Sequence, residues 1–369
     1  MAERTGKWPR PVRALWLGLA SLLVALAGPA AAAGPSAKPM EVRVVVITTW
    51  EVIRGGKDLK GELYAWRKYW PFTTEMPFPV GVHPLLYDPK RHVLAVLTGM
   101  ATARASASIM ALGMDPRFDL SHAYWVLAGT AGVDPKVASA GSVAWERFVV
   151  DGDLGQEIDG RDIPADWPTG ILPNQRTTPY ALPAPASHND DGDTAFTLNR
   201  GLVDWAYART RSIRLPDDPV LARVRAPYSG PGALPPTVLE GDGLMSSRFW
   251  YGDHMTDWAE RWVPYWTGGQ GVFVMSAEED TGVMQALSFL AKAGRVRTDR
   301  VLMLRAGSDY VVAPSGLSAA QFIAKEAVEG LPANQEALDG LYAVASPVVR
   351  ALADDWAHTR LTTPTLSLP

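Results

Sequence analysis

VLMLRAGSDY, residues 301–310, joins an apolar run directly to a short polar segment. Residues 301–304 predict a buried β-strand, and residues 305–309 predict a polar loop that ends in an acid. In α/β proteins, ligands bind at the carboxyl ends of strands. The stretch therefore predicts an α/β sheet in which Asp309 is the first candidate for catalysis. The alternative is that Ser308 or Asp309 caps a helix that follows.

Composition narrows the class of protein. The chain has 369 residues, of which 47% are hydrophobic and 20% charged, as in globular proteins. A net charge of −4 gives no basic surface, so we expect no nucleic-acid partner. The chain contains no cysteine, which excludes disulfides, thiolate chemistry and Cys-ligated zinc.

The first 33 residues have the pattern of a secretory signal peptide. A basic start at positions 4–13 precedes an apolar run at 14–28 and small residues at 30–33, which suit a cleavage site. The alternative is an uncleaved membrane anchor, but the run is shorter than the roughly 20 residues of a spanning helix. We therefore expect cleavage, localisation in the periplasm and no membrane span in the mature chain.

The rest of the chain alternates predicted strands and helices, which favours a mainly parallel sheet covered by helices. The predicted strands are 41–49, 91–97, 123–127, 141–150, 238–242, 271–275 and 301–304. The predicted helices are 101–112, 194–211, 254–266, 280–293 and 319–350, with a break near Pro332.

Prolines break the region from about 159 to 236 into loops, so we expect a loop-rich insertion in a single domain. Within it, Ser187–Asp193 (SHNDDGD) looks like part of a calcium loop, but it lacks the closing Glu. We therefore expect a solvated turn there and no metal site.

Three short motifs are candidates for chemistry because each follows a predicted strand. They are AGTAG at 128–132, MSAEEDTG at 275–282 and RAGSDY at 305–310. Glycines allow backbone to approach a ligand closely. The structural alternative for the first motif is a tight strand-to-helix turn. For the acids at 278–280 it is stabilisation of a helix N-terminus, worth about 0.3–1 kcal/mol for each acid.

In this order the motifs resemble the nucleoside phosphorylase and nucleosidase superfamily, in which G-[ST]-A-G, M-E-[AG] and R-A-x-S-D follow one another at strand ends. ITTWE (47–51), GTAGVDP (129–135), VMSAEEDTG (274–282) and LRAGSDY (304–310) more closely resemble the purine nucleoside permease family.

The resemblance implies a nucleoside-phosphorylase-like α/β fold with a central mixed, mainly parallel sheet covered by helices. The main domain would span 41–315 and include the insertion at about 159–236. Residues 316–369 would form a C-terminal helical extension packed on it. The superfamily also implies a homo-oligomer.

The resemblance further implies a purine nucleoside as ligand and no cofactor. Asp309 would donate a proton to purine N7, and Ser308 would orient Asp309. Glu51, which follows the first strand, would activate water. General acid catalysis of this kind is worth about 10²–10⁴-fold in rate.

Sugar binding is also implied by the resemblance. Glu279 would bind the ribose hydroxyls, or Glu278 would, because Glu278 stands where the family has Met. Thr130, Gly129 and Gly132 would line the ribose or nucleophile pocket. The aromatic candidates for stacking on the purine are Trp50, Phe249, Trp250 and Tyr310.

Two departures from the superfamily pattern favour water over phosphate as the nucleophile. The Gly-Asp-Pro phosphate turn is replaced by residues 47–50 (ITTW). Residues 127–128 (LA) stand where hexameric phosphorylases of the superfamily carry an arginine just before the GTAG motif. A phosphate dianion needs cationic or N–H partners, for which Arg54, Arg104 and Arg248 are the substitutes available.

Three hypotheses follow. The first is an exported purine nucleosidase, or a phosphorylase. The second is a non-catalytic periplasmic nucleoside-binding component of uptake, and the third is a structural or interaction protein.

Overall fold

A computed structural model describes residues 38–51, 61–189 and 192–366. The predicted signal peptide at 1–33 lies outside these residues. The strands are β1 Met40–Glu41, β2 Val44–Thr48, β3 Thr74–Met76, β4 Leu85–Asp88, β5 Val93–Leu97, β6 Phe118–Asp119, β7 Tyr124–Val133, β8 Val143–Asp151, β9 Gln156–Glu157, β10 Ile171–Leu172, β11 His188–Asn189, β12 Gly192–Asp193, β13 Ala195–Thr197, β14 Val238–Met245, β15 Phe273–Ala277 and β16 Val301–Tyr310. The helices are α1 Glu62–Tyr69, α2 Thr102–Gly113, α3 Arg200–Thr210, α4 Pro219–Arg225, α5 Asp253–Trp266, α6 Asp280–Lys292, α7 Ala319–Glu329, α8 Asn334–Asp354 and α9 Trp356–Thr359.

The central sheet has ten strands. Nine of them run in the order β13-β8-β14-β15-β7-β2-β5-β4-β3, and β16 pairs with both β7 and β8. These pairings join β8, β14, β15, β7 and β16 into a closed ring. The parallel ladders are the long ones, while each antiparallel ladder joins only two or three residues of each strand. The predicted central mixed, mainly parallel sheet is confirmed.

Two adjacent parallel strands, β7 and β16, extend further than the sequence predicts. They pair in register from Val301 opposite Trp125 to Tyr310 opposite Val133, with one irregularity between Gly307 and Asp309. The predicted strand ends at 127 and 304 were therefore wrong. Both segments continue as strand because their small residues allow the two backbones to pair closely, although the same residues are typical of turns.

Helices cover the sheet, as predicted. α8 packs on β7 and β16, α5 packs on β14 and β15, and α2 packs on α6. The predicted break near Pro332 is confirmed, since α7 ends at Glu329 and α8 begins at Asn334. No helix in the described part of the chain combines the length and apolar character needed to cross a membrane.

The predicted helix 194–211 begins later than expected. The side chain of Asn199 accepts a hydrogen bond from the backbone N–H of Leu202 and caps α3, while Ala195–Thr197 pairs with β8 as a strand. The region around it contains short strands and helices as well as loops. The boundaries 41–315, 159–236 and 316–369 stay predictions.

Candidate functional site

A cavity of about 240 Å³ opens at the carboxyl-terminal parts of strands in the ring. Its lining comes from Thr49, Trp50, Glu62, Met100, Thr130, Ala131, Phe249, Tyr251, Ser276, Ala277, Glu278, Glu279, Ser308, Asp309 and Leu331. Four of these residues are acids, and no Lys, Arg or His is found among the described residues that line the cavity. The cavity is therefore acidic as well as apolar.

Asp309 lies on this cavity and is only 1% exposed. Its Oδ1 accepts a hydrogen bond from Ser308 Oγ at 3.2 Å, and its Oδ2 lies 3.2 Å from Tyr251 Oη. Burial, and then the nearby carboxylate of Glu326, raises the pKa of Asp309 well above its ordinary value. Both effects favour the protonated form of Asp309.

Ser308 is positioned by the irregularity in β16. The pairing of β16 with β7 skips Ser308, between Gly307 and Asp309. As a result the side chains of Ser308 and Asp309, although consecutive in the chain, both reach the cavity lining. Ser308 Oγ also lies 3.3 Å from the carbonyl oxygen of Ala131. The capping alternative for Ser308 and Asp309 was wrong, because both lie within a strand and the next helix begins only at Ala319.

A buried ion cluster centred on Arg305 reaches the cavity through Glu279. Arg305 donates to both oxygens of Asp280 at 2.9 Å, to Glu279 Oε2 at 2.8 Å and to the carbonyl oxygen of Thr130 at 2.8 Å. Glu279 Oε1 also accepts from the backbone N–H of Ala101 at 3.2 Å. Glu279 is thus fixed by charged and backbone donors at the edge of the cavity.

The helix-capping explanation for the three acids fails for Glu279. Glu279 is the residue that precedes α6, yet its side chain makes no capping hydrogen bond. Glu278 is half-buried on the cavity, and burial followed by the charge of Glu279 raises its pKa to about 7. Both glutamates therefore face the cavity, Glu279 fixed by Arg305 and Glu278 near its titration point at neutral pH.

Glu62 is a cavity acid that the sequence reasoning missed. Its Oε2 accepts from the backbone N–H groups of Thr49 at 2.6 Å and Trp50 at 3.1 Å, and its Oε1 accepts from the N–H of Thr130 at 2.7 Å. Burial raises its pKa, while the positive charge of Arg305 acts in the opposite direction. Its position in the first turn of the helix that follows the first strand is the sequence feature that could have identified Glu62 as a candidate.

Glu51 does not line this cavity. Its carboxylate accepts from the backbone N–H groups of Gly61 at 2.7 Å and Leu63 at 3.0 Å, at the start of α1. It lines an adjacent cavity with Gly99 and Arg104. The structure therefore does not bring Glu51 to the cavity that holds Asp309, because its carboxylate bonds the backbone at the start of α1. Glu62 lines that cavity instead.

The aromatic candidates divide between the cavity and the core. Trp50 and Phe249 line the cavity, as does Tyr251, which was not predicted. Tyr310 does not: its hydroxyl donates to the carbonyl oxygen of Gly232 at 2.7 Å, and its ring stacks on Tyr228. The prediction for Tyr310 was wrong because side chains alternate along a strand and this one points away from the cavity.

Trp250 is likewise buried in the core, where its ring contacts Trp258.

Two motif glycines make room for other residues and do not line the cavity. A Cβ at Gly129 would lie 2.4 Å from Arg305 Nη1, and a Cβ at Gly132 would lie 2.6 Å from Phe249 Cζ. Their predicted role in lining the pocket is therefore corrected: they allow Arg305 and Phe249 to approach the strand. Thr130, which lies between them, does line the cavity.

The arginines considered for phosphate lie elsewhere. Arg104 donates to the carbonyl oxygen of Met100 at 3.2 Å, and Arg248 pairs with Glu157 at the surface. Arg54 lies outside the described residues. Within the described ranges, no group of three or more His, Asp or Glu side chains is arranged to hold a metal ion.

Comparisons with known proteins agree on one family. The sequence profile of the purine nucleoside permease family matches residues 41–362. A probable purine nucleoside permease of Schizosaccharomyces pombe is 26% identical over 272 residues, which cover 72% of this chain and 77% of the relative. A purine nucleoside permease of Candida albicans is 25% identical over 300 residues, which cover 79% of this chain and 72% of the relative.

The chain is also similar to solved structures. A 5′-methylthioadenosine/S-adenosylhomocysteine nucleosidase from Neisseria meningitidis is 13% identical, with a TM-score of 0.47, and the match covers 83% of this chain and 100% of that one.

Proposed function

This chain belongs to the purine nucleoside permease family, and on that premise we propose that it binds purine nucleosides and cleaves their N-glycosidic bond with water. The ligand class comes from the family and from the names of its relatives. The reaction is inferred from the four acids of the cavity.

The observation that carries the proposal is Asp309, a buried acid on the cavity wall whose surroundings favour its protonated form. A general acid must hold its proton near neutral pH and lie within reach of the atom that it protonates. Burial and the charge of Glu326 supply the first condition by raising the pKa of Asp309. Its position in the lining supplies the second.

In the proposed reaction, Asp309 gives its proton to N7 of the purine. The C1′–N9 bond breaks and its electron pair stays with the base, which leaves as a neutral purine. A water oxygen bonds to C1′ as that water loses a proton to Glu62. The products are the free purine and ribose, and solvent exchange returns Asp309 and Glu62 to their starting protonation states.

Glu62 suits the role of base because its environment differs from that of Asp309. Burial raises the pKa of Glu62, but three backbone N–H groups and the charge of Arg305 act in the opposite direction and favour its carboxylate form, whereas Asp309 has no cation beside it among the described residues. Two carboxyl groups with different environments can act as acid and base in one site. The hydroxyls of Thr49 and Thr130 contact the same carboxylate and can turn toward a water molecule.

The sugar and the base have candidate partners in the same cavity. Glu279, anchored by Arg305, is the proposed acceptor for the ribose 2′- and 3′-hydroxyls, and Glu278 is its neighbour on the lining. Trp50 and Phe249 are the proposed contacts for the purine ring, since aromatic faces stack on bases.

Water is favoured over phosphate because of charge. The four acids of the lining would repel a phosphate dianion, and the described lining supplies no cation to offset them. Arg305 is the cation nearest to the cavity acids, and its guanidinium already bonds Glu279, Asp280 and a carbonyl oxygen.

One alternative function is favoured by the name of the family itself. A permease-family protein that binds nucleosides without cleaving them would serve as the binding component of nucleoside uptake. This alternative requires tight binding and no release of free base.

The test is to incubate the purified protein with inosine or adenosine, with and without phosphate, and to measure free base by chromatography. We expect base release at the same rate in both conditions. Release that depends on phosphate would overturn the choice of water. Tight binding with no release in either condition would favour the uptake function.

Export to the periplasm and assembly into a homo-oligomer are further proposals. The first is based on residues 1–33 and is tested by fractionation of cells that express the full chain. The second is based on the superfamily resemblance and is tested by light scattering of the purified protein.

A further inference from the structure

Tyr251 bridges two carboxyl groups that are far apart in the sequence. Its Oη lies 2.6 Å from Glu326 Oε2 and 3.2 Å from Asp309 Oδ2. A phenol has a single hydrogen, so it can donate to only one of the two at a time. The other contact is a hydrogen bond only when that carboxyl group carries a proton and donates to Tyr251.

The two distances favour Glu326 as the group that accepts the phenol hydrogen. An O–H···O⁻ bond to an ionised acceptor is typically about 2.5–2.7 Å long, which matches the contact with Glu326. Asp309 is also the more deeply buried group, at 1% exposure against 9% for Glu326. Burial raises the pKa of Glu326 too, but the hydrogen bond from Tyr251 acts in the opposite direction and favours its carboxylate form. We therefore assign the phenol hydrogen to Glu326 and the second proton to Asp309.

We propose that Glu326, acting through Tyr251, is a positioning residue that keeps the proton on Asp309 for delivery to the ligand. This inference rests on the proposed function, since it assigns to α7 the control of the proposed acid. Ionising Asp309 would place a second negative charge beside Glu326 in a buried site, which disfavours that step. Tyr251 is held in place by Phe322 of α7, whose ring meets it edge-on.

The other groups around Asp309 do not supply the negative charge that keeps a proton on its carboxyl group. Ser308 contacts Asp309 Oδ1 from the same strand. Burial and the charges of Asp309 and Glu326 all raise the pKa of Tyr228, which lies in the predicted insertion. The Tyr228 hydroxyl, however, donates to the carbonyl oxygen of Val312. Glu326 is the charged residue that most affects Asp309, and it raises the pKa of that carboxyl group.

The first test measures Asp309 directly, without substrate. Protein labelled with ¹³C at its Asp carboxyl carbons is titrated by NMR, and the Asp309 signal is assigned by its loss in Asp309→Asn. We expect Glu326→Gln to lower the Asp309 titration midpoint by about one pH unit or more, the size of effect of one nearby like charge. Glu326→Ala removes the same charge with different packing and should shift the midpoint in the same direction.

Two further variants control the test. Glu326→Asp keeps the charge and should return the midpoint toward the wild-type value. Glu329→Gln removes an exposed acid of the same helix, which pairs with Lys325 at the surface, and should leave the midpoint unchanged.

Activity supplies the second readout. If base is released, the alkaline limb of the kcat/KM profile should move to lower pH by the same amount in Glu326→Gln. An unchanged Asp309 midpoint in folded Glu326→Gln and Glu326→Ala would overturn this inference even if the enzyme is active. The reverse result, a shifted midpoint without base release in any variant, would support it and refute only the proposed hydrolysis.

Discussion

Replacing Arg305 by Met should destabilise the protein strongly at neutral pH and much less at acidic pH. Arg305 is buried, and its guanidinium makes four hydrogen bonds: two to Asp280, one to Glu279 and one to the Thr130 carbonyl oxygen. Methionine is also unbranched, but it is shorter and carries no charge. The variant therefore leaves Glu279 and Asp280 buried side by side without a cation.

The magnitude follows from the burial of these partners. Removing one member of a buried ion pair costs about 3–5 kcal/mol, because the remaining charge is uncompensated. The two acids can reduce that cost by taking up protons, which becomes easier as the pH falls. Each proton taken up offsets up to about 1.4 kcal/mol for each pH unit. We therefore expect a loss of about 3–5 kcal/mol at pH 8 and a clearly smaller loss at pH 5.

The assay is urea unfolding of wild type and Arg305→Met at both pH values, analysed for the free energy of unfolding. The matched control is Arg297→Met, which breaks a half-exposed pair with Asp299 and should cost only about 0–1 kcal/mol at either pH. A loss below about 1 kcal/mol for Arg305→Met would refute the claim that this ion cluster holds the site together. An equal loss at pH 5 and pH 8 would refute the claim that the cost comes from unpaired buried acids.

Three further predictions concern the same region and its surroundings. Gly132→Ala should displace Phe249 and weaken nucleoside affinity, because the new methyl group would lie 2.6 Å from the Phe249 ring. Isothermal calorimetry with a nucleoside measures the loss, and unchanged affinity would show that Phe249 does not contact the nucleoside. Burial raises the pKa of Asp134 to about 7 from an ordinary value near 4. Between these two pH values the folded state keeps a proton on Asp134 that the unfolded state loses. The contribution of Asp134 to the free energy of unfolding should therefore fall as pH rises from about 4 to about 7. Asp134→Asn should flatten that part of the curve of unfolding free energy against pH, and an unaltered curve would contradict the assignment. Glu62→Gln should abolish base release, as followed by chromatography. Glu51→Gln should retain base release but lower thermal stability, because its amide keeps one acceptor oxygen for the two backbone N–H groups at the start of α1. Thermal unfolding measures that loss, and loss of release in Glu51→Gln alone would restore Glu51 to the nucleophile position.

The sheet could be predicted from the sequence because its strands are short apolar runs bounded by turn residues. Residues 44–48, 93–97 and 143–151 form strands close to the predicted ranges. The carboxyl ends of β7 and β16 could not be predicted, since Gly, Ala and Ser are typical of turns when read alone. They form strands here because each backbone is paired along its whole length with its neighbour, which is a tertiary effect.

The site was predictable in part for a similar reason. Asp309, Ser308, Glu279 and Thr130 follow apolar runs directly, so chain order alone brings them to one edge of the sheet. Glu62 was missed because residues 52–60 separate it from the first strand, and Glu51 is the first acid after that strand.

Tyr251 and Glu326 could not be found by local patterns. Tyr251 lies in a loop before α5, and Glu326 lies within an ordinary amphipathic helix. Their relation to Asp309 exists only in three dimensions, where α7 and that loop meet β16. Long-range convergence of this kind leaves no periodicity or motif in the sequence.

The central claim is that Asp309 donates the proton that releases the purine. The most direct measurement compares wild type and Asp309→Asn for the rate of base release from a purine nucleoside at saturating concentration, together with nucleoside affinity. The account predicts a rate loss of about 10²–10⁴-fold with little change in affinity, because Asn can still donate a hydrogen bond to N7 but cannot transfer a proton. Base release by Asp309→Asn at the wild-type rate would contradict it.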